Sequence, residues 1–434
     1  MPQRLKVANL HWLFAFSLLL FSLSSVSAQE ALVYMTPWGG MDAEKERRIV
    51  SWASEVSGQD VEIQYPGGVQ GVIEQLLLYR ATDLPADVVW NHQSMHHQFD
   101  RLGAWLDLRP FVERDPLVDF NMFAPGALEF FTGPDGRITA LPFRWSFTVL
   151  NYNIDHFEEA GLAFPDETWR YEHEFLDAAK RLTRINADGA VTQWGVIPLR
   201  LHEYIWRAWG AQLLTPDRTA SGFTDPRAHD ALQFLRDLYV EHGVATANMA
   251  TWTNGQASML FEHPALERHD GTLRWDIAQV PVGPSGDRVT RGAVGAWSIP
   301  SWSKDPNAAW ELVRHLASKE GQIRYLEEGL GGTRFDSIRE FMIDNFDPNS
   351  FQPPLHPQAF QNREVFLDAM QYAVIDTERQ LLAEYVPELG FGGNTPLGNT
   401  GAITRADQPV SHIIEDLVTK INIALRDHPD IFSY

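Results

Sequence analysis

The stretch that most narrows the fold lies between residues 31 and 90, where short apolar runs alternate with helical periodicity. Residues 31–35 (ALVYM) form an apolar run stopped by Pro37 and Gly39-Gly40, after which Ile49, Val50, Ala53 and Val56 recur at helical spacing. Residues 61–65 alternate as VEIQY, Pro66-Gly67-Gly68 turns the chain, 72–79 reads as helix, and 86–90 (ADVVW) is a third buried strand. A β-α-β-α-β order predicts a parallel sheet with right-handed crossovers. Ligands sit at the carboxyl ends of such strands. The first candidates are therefore Trp38, Gly39 and Gly40 after the first strand, Pro66 and Gly67 after the second, and Asn91 to Gln93 after the third.

The middle of the chain reads as mostly helical. Residues 138–152 are extended, 155–160 form a short helix ending at Gly161, and 171–182 is amphipathic. Residues 199–214 read as a helix carrying Trp206 and Trp209 three apart, hence on one face. Asp225-Pro226 caps and opens a helix to about Val240. Strand signals return at 275–280 and 295–300, helices follow over 306–316 and 321–328, and amphipathic segments lie near 364–385 and 410–425. No internal repeat is visible.

Composition closes off several functions. The 57 acidic against 35 basic residues leave −22, the wrong sign for releasing counterions from nucleic acid. Cysteine is absent, which removes disulfides, thiol nucleophiles, Cys-ligated metal and thiol-linked lipid. At the amino terminus Arg4 and Lys6 precede an apolar run over 10–23 and a small-residue exit, Val26-Ser27-Ala28. That pattern predicts a cleaved signal over residues 1–28, and the run is short of the roughly 20 residues a membrane span needs. A periplasmic protein is expected.

Motifs for turnover chemistry do not occur: no GxSxG, HExxH, GxxxxGK[ST] or strand-following GxGxxG. His92, His96 and His97 have metal-ligand spacing, but the bland reading, a polar helix start, outweighs zinc. Asp87 and Glu262 make a conceivable carboxylate pair for glycoside hydrolysis, though spacing alone gives no reason to join them. The 15 Trp residues are more informative. Trp38, Trp90, Trp145, Trp297 and Trp302 fall at element ends, where flat apolar faces beside polar groups suit sugar rings; taken singly, each Trp is more often core.

Several segments, in order, resemble the extracellular solute-binding proteins of ABC importers, in the carbohydrate-binding group that includes maltose-binding protein. They are PADVVW at 85–90, WLDL at 105–108, ALP at 140–142 with LNYN at 150–153 and FEEAGL at 157–162, TW at 168–169, NGQASM at 254–259, and SK with AAWELV at 303–313. Two positions depart from the family pattern, FEHP at 261–264 and TRF at 333–335, so ligand identity does not carry over. The resemblance implies an α/β, two-lobed periplasmic-binding-protein fold of type II with discontinuous lobes. One lobe is expected from 31–140 and 299–330, the other from 143–295 and 335–434, with hinge crossings near 141–144, 292–297 and 329–334. It implies a solute held by Trp38, Gly39, Asn91, Arg144, Trp145, Trp206, Trp209, Glu262, Trp297, Gly332 and Arg334, with Arg144 and Arg334 also readable as surface salt bridges. It further implies a monomer that binds a sugar without altering it and serves membrane permease subunits, with no cofactor, metal or nucleic acid. A secreted glycan-active enzyme, or the same fold binding a phosphodiester, polyamine or metal, stand as alternatives.

Overall fold

The computed structural model describes residues 30–432 apart from 267, 268, 330, 352, 391–394 and 399; the expected signal over 1–28 lies outside the described residues. Strand β1 (Leu32–Met35) runs parallel to β2 (Val61–Gln64) on one side and β3 (Val88–His92) on the other. Helices α1 (Gly40–Ser57) and α2 (Gly68–Thr82) connect them. Helix α1 turns Ile49, Val50 and Ala53 into the core and stops at Gly58, whose φ of 69° suits a residue without Cβ. Strand β10 (Thr290–Ser298) joins antiparallel to β3, and β4 (Leu141–Phe147) antiparallel to β10, giving the order β2–β1–β3–β10–β4. The short β11 (Ala373–Val374) lies parallel to the start of β10.

A second sheet has the order β6 (Arg184–Ile185), β7 (Val191–Ile197), β8 (Ala257–Glu262), β5 (Val149–Asn153), β9 (Trp275–Ala278). Only Thr148 separates β4 from β5, so one extended segment passes from the first sheet into the second, and β9 to β10 brings the chain back. Register fixes what meets there. Val149 pairs with Glu262 at the end of β8, Phe147 with Gly292, and His92 at the end of β3 with Gly295. The carboxyl ends of β1–β3 and of β8–β9 therefore converge on this junction from opposite sides.

One apolar cluster under the first sheet gathers Tyr34, Trp90, Phe143, Trp297 and Tyr325, and a second under the other sheet gathers Tyr171, Trp206, Trp209, Phe261 and Leu417. A third joins Ala127 and Phe131 to Trp252, Trp275 and Met370 across the junction. The carboxyl-terminal helix Val410–Asp427 packs on Pro226–Tyr239 beneath the second sheet.

Three sequence expectations are corrected. The middle of the chain is not mostly helical: it supplies β6 to β9, and β8 is buried at every position, so the alternation that marks a half-exposed strand is missing. Residues 199–214 are not one helix. Leu201–Glu203 is a single 3-10 turn, Ile205–Ala208 one short helix, and Gly210 at φ 81° ends it, so Trp206 and Trp209 share no helical face. Segment 364–385 breaks into Glu364–Tyr372 and Thr377–Ala383 because Ala373 and Val374 pair with β10 instead.

Candidate functional site

The strand ends place a chain of alternating charges at the junction. Glu262, last residue of β8, is buried and accepts from Arg200 Nε at 3.1 and 3.3 Å, with His263 Nδ1 2.6 Å from Oε1. Arg200 Nη1 donates to Glu203 Oε1 at 3.1 Å, and the other Glu203 oxygen pairs with Arg291 at the head of β10. Burial alone pushes the Glu262 carboxyl up, but His263 and Arg200 outweigh it and hold the group well below the usual range. Glu203 is likewise pushed up by burial and pulled below its ordinary value by Arg291, His202, Arg379 and Arg200. Both are carboxylates at neutral pH, and each guanidinium is fixed by the acid beside it.

From the first sheet, Trp38 is partly exposed, meets Trp90 edge-on with centroids 5.4 Å apart, and carries the Arg144 guanidinium 5.2 Å above its ring. Such a stack orients both groups. His92 stacks flat on Trp90 at 5.3 Å; desolvation, then Arg291 and Arg144, lower its imidazole to about 4, so it is neutral. Arg144, Ser146, His263, Pro264 and Gly331 also line a small cavity between the elements of the two sheets.

Of the residues expected to hold solute, Trp38 and Arg144 are in contact, Glu262 is bonded to His263, which lines the same cavity as Arg144, and Gly39 lies exposed at the head of α1 with nothing within 4 Å of where its Cβ would stand. The rest are placed otherwise. Trp297 is fully buried, stacked on Phe143 at 4.3 Å and donating to Tyr34 Oη at 3.0 Å. Asn91 is buried and donates to Ser298 Oγ at 2.8 Å, stitching β3 to β10. Trp145 faces away from its neighbour Arg144: its ring packs where Gly126 and Gly292 leave room. Trp206 and Trp209 are core, against Phe223 and against Tyr171 and Phe234 respectively. Arg334 is buried, forks onto Asp336 and lies over Phe123, and Gly332 packs on Leu326. Asp87 accepts from Val33 N and Ser303 Oγ on the other side of the first sheet, so no pair with Glu262 forms. His96 is spent on Asn91 and Thr139.

Sequence reasoning missed Arg200, Glu203, His263 and Arg291. Arg200 follows β7 by three residues, so reading that strand in full would have exposed it by the same strand-end rule that found Trp38, whereas Arg291 stands at the amino end of β10, where the rule does not look.

Two sheets joined by an extended crossover, with convergent strand ends and a polar cluster between them, define a two-lobed solute-binding architecture. Residues 41–323, well over half the chain, match the profile of the bacterial extracellular solute-binding proteins, and the chain belongs to that family. Among solved structures it resembles a Listeria monocytogenes ABC substrate-binding protein in complex with cycloalternan (TM-score 0.70, 19% identity, 91% of this chain and 98% of that one). It also resembles the Mycobacterium tuberculosis UgpB complex with glycerophosphocholine (TM-score 0.72, 16% identity, 92% and 100%). By sequence it is 25% identical over 246 residues to a binding protein of Brucella abortus, covering 52% of this chain and 58% of that protein. It is 29% identical over 235 residues to the sn-glycerol-3-phosphate-binding periplasmic protein UgpB of Brucella melitensis, covering 48% and 52%. The chain thus spans about half the length of the curated relatives it matches. Among the described residues no helix is long and apolar enough to cross a membrane.

Proposed function

We propose that this chain is the solute-capturing component of an ABC importer, closing two lobes over a carbohydrate in the periplasm and passing it unaltered to membrane permease subunits. The observation that carries this reading is the Glu262–Arg200–Glu203–Arg291 chain facing the junction onto which Trp38 and Arg144 also open. A sugar offers apolar C–H faces and a rim of hydroxyls; an indole takes the face, while fixed carboxylates and guanidinia accept from and donate to the rim. Contacts to both sides favour the closed form only when solute is present.

In this reading residues 31–140 and 299–330 form one lobe and 143–295 with 335–434 the other. The β4–β10 pairing supports hinges near 141–144 and 292–297, since bonded neighbours bend together as one ribbon. The third crossing falls near 329–334. Native mass spectrometry of freshly purified protein, with a thermal-shift panel, tests the reading. A retained or stabilising sugar, recovered chemically unchanged, supports it; stabilisation by a polyamine or metal alone overturns it, and an altered sugar overturns the non-enzymatic part.

One observation favours a second solute class. Arg144, Arg200 and Arg291 bring three guanidinia to the site against the carboxylates of Glu203 and Glu262, and the UgpB relatives bear names for glycerol phosphate binding. sn-Glycerol 3-phosphate and glycerophosphocholine belong in the same panel. Stabilisation by these and by no neutral sugar moves the assignment to a glycerophosphoryl solute.

A further inference from the structure

The cavity that Arg144 and His263 share differs in chemistry from the acid–base chain beside it. Its volume is about 70 Å³, and most of the side chains around it are hydrocarbon: Phe147 at the end of β4, Leu266 after β8, Leu326 in the helix Lys319–Glu327, Met342, Phe351, and Phe366 in the helix Glu364–Tyr372. All six belong to or pack on the apolar cluster that spans the junction, and Phe147 meets Phe366 edge-on with centroids 4.7 Å apart. The polar residues of the lining add little polarity to it. Arg144 gives its stem, with Cγ 3.7 Å from where a Cβ on Gly331 would stand, while its guanidinium lies over Trp38. His263 has Nδ1 beside Glu262, and Ser146 carries the remaining hydroxyl. Leu326, Met342, Phe351 and Phe366 all lie beyond residue 323, so the stretch matched to the solute-binding family does not supply them.

Resting on the solute-capture reading above, we infer that this cavity is an apolar subsite of the solute site, and that the captured solute is a sugar bearing a short aliphatic group rather than a bare one. His263 joins the cavity to Glu262 at the end of the acid–base chain, and Arg144 joins it to Trp38, so one molecule reaches polar rim and apolar recess together. The space has room for a few waters but offers few of the two to four polar partners that each needs. A sugar hydroxyl placed there leaves its water behind and meets hydrocarbon, whereas an alkyl group gains by leaving water. Size narrows the group. The volume is about half that of an apolar cavity of about 150 Å³ that admits benzene, which fits methyl to propyl and excludes an aryl ring.

The test compares D-glucose, D-galactose and D-mannose with their methyl and n-propyl α-glycosides by calorimetric titration of the mature protein. Affinity should rise by roughly fourfold for each aliphatic carbon that enters the recess, so that a propyl glycoside binds more than tenfold tighter than its parent sugar. In Leu266→Ser, a change at a partly exposed position of the lining, the ratio of propyl-glycoside to parent affinity should fall by several fold. Xenon, followed by its own NMR signal, probes the recess without any sugar: ligand-free protein should show a saturable site that the propyl glycoside displaces. Parent sugars that bind as tightly as their propyl glycosides, an undiminished ratio in Leu266→Ser, or no saturable xenon site overturns the inference and leaves the capture of a sugar standing. Failure of every sugar and glycoside to bind overturns the sugar reading itself and the glycoside with it, and the xenon measurement then decides by itself whether the recess takes apolar groups.

Discussion

Replacing Trp297 with Ala separates core from cleft at a position where sequence reasoning and packing disagree. A ring that stacks on solute costs affinity when removed and leaves the empty protein stable. In the fold the indole is fully buried, stacked on Phe143 at 4.3 Å, 5.4 Å from Tyr325, and bonded to Tyr34 Oη. Truncating a buried Trp costs about 3–5 kcal/mol through lost transfer energy and the cavity left behind. The lost hydrogen bond adds about 1 kcal/mol. With an unfolding entropy of about 2.1 cal/mol/K per residue, a chain of 434 residues shifts by roughly 1 °C per kcal/mol, so ligand-free Trp297→Ala should melt about 4–7 °C lower by calorimetry. Trp297→Phe, which keeps the stack, should recover most of that loss. Trp38→Ala is the mirror case: its ring is partly exposed, so the melting temperature should barely move while solute affinity drops by roughly thirtyfold. A Trp297→Ala protein with wild-type melting and abolished binding would refute the assignment of this ring to the core.

Further outcomes follow from burial, charge and backbone packing. Glu46 keeps its proton in the fold to about pH 7 against an ordinary 4.5, so native protein binds the extra proton between these values and loses stability as pH rises through them. Chemical denaturation of Glu46→Gln should therefore gain on wild type by about 2.5 kcal/mol between pH 5 and pH 8. Glu203 has the opposite sign: its contribution is present above the ordinary carboxylate range and lost as pH falls through its depressed value, and Glu203→Gln, which leaves Arg291 and Arg200 without this carboxylate, should cost about 3 kcal/mol at pH 7 and less in acid. Gly195→Ala, whose Cβ would stand 2.1 Å from the Ala179 carbonyl oxygen, should lower the melting temperature by several degrees, whereas Gly39→Ala meets nothing and should not.

The opening βαβαβ pattern, the short helix ended by Gly161, the Asp225 cap and the late return of strand near 295 are all local features, and local periodicity and turn chemistry sufficed to read them. The strand-end rule likewise reached Trp38 from sequence, because the end of a strand is a local property. The ordered segments resembling a solute-binding family pointed to the class, and the family match bears that out. What the chain could not disclose is which side of an element faces what. Arg144 and Trp145 are adjacent, yet one lies on Trp38 and the other packs against Gly126 and Gly292, because successive residues of a strand point to opposite faces and only the pairing of β4 with β10 says which face is which. Trp297 and Trp206 looked like solute contacts by residue type and became core through neighbours far away in the chain, Tyr34 and Arg379, while Arg334 forks onto the nearby Asp336 and lies over the distant Phe123. The acid–base chain at the junction is the clearest case. Glu203, Arg200, Glu262 and Arg291 come from three separate strand ends, and no spacing rule joins residues whose closeness is set by the meeting of two sheets.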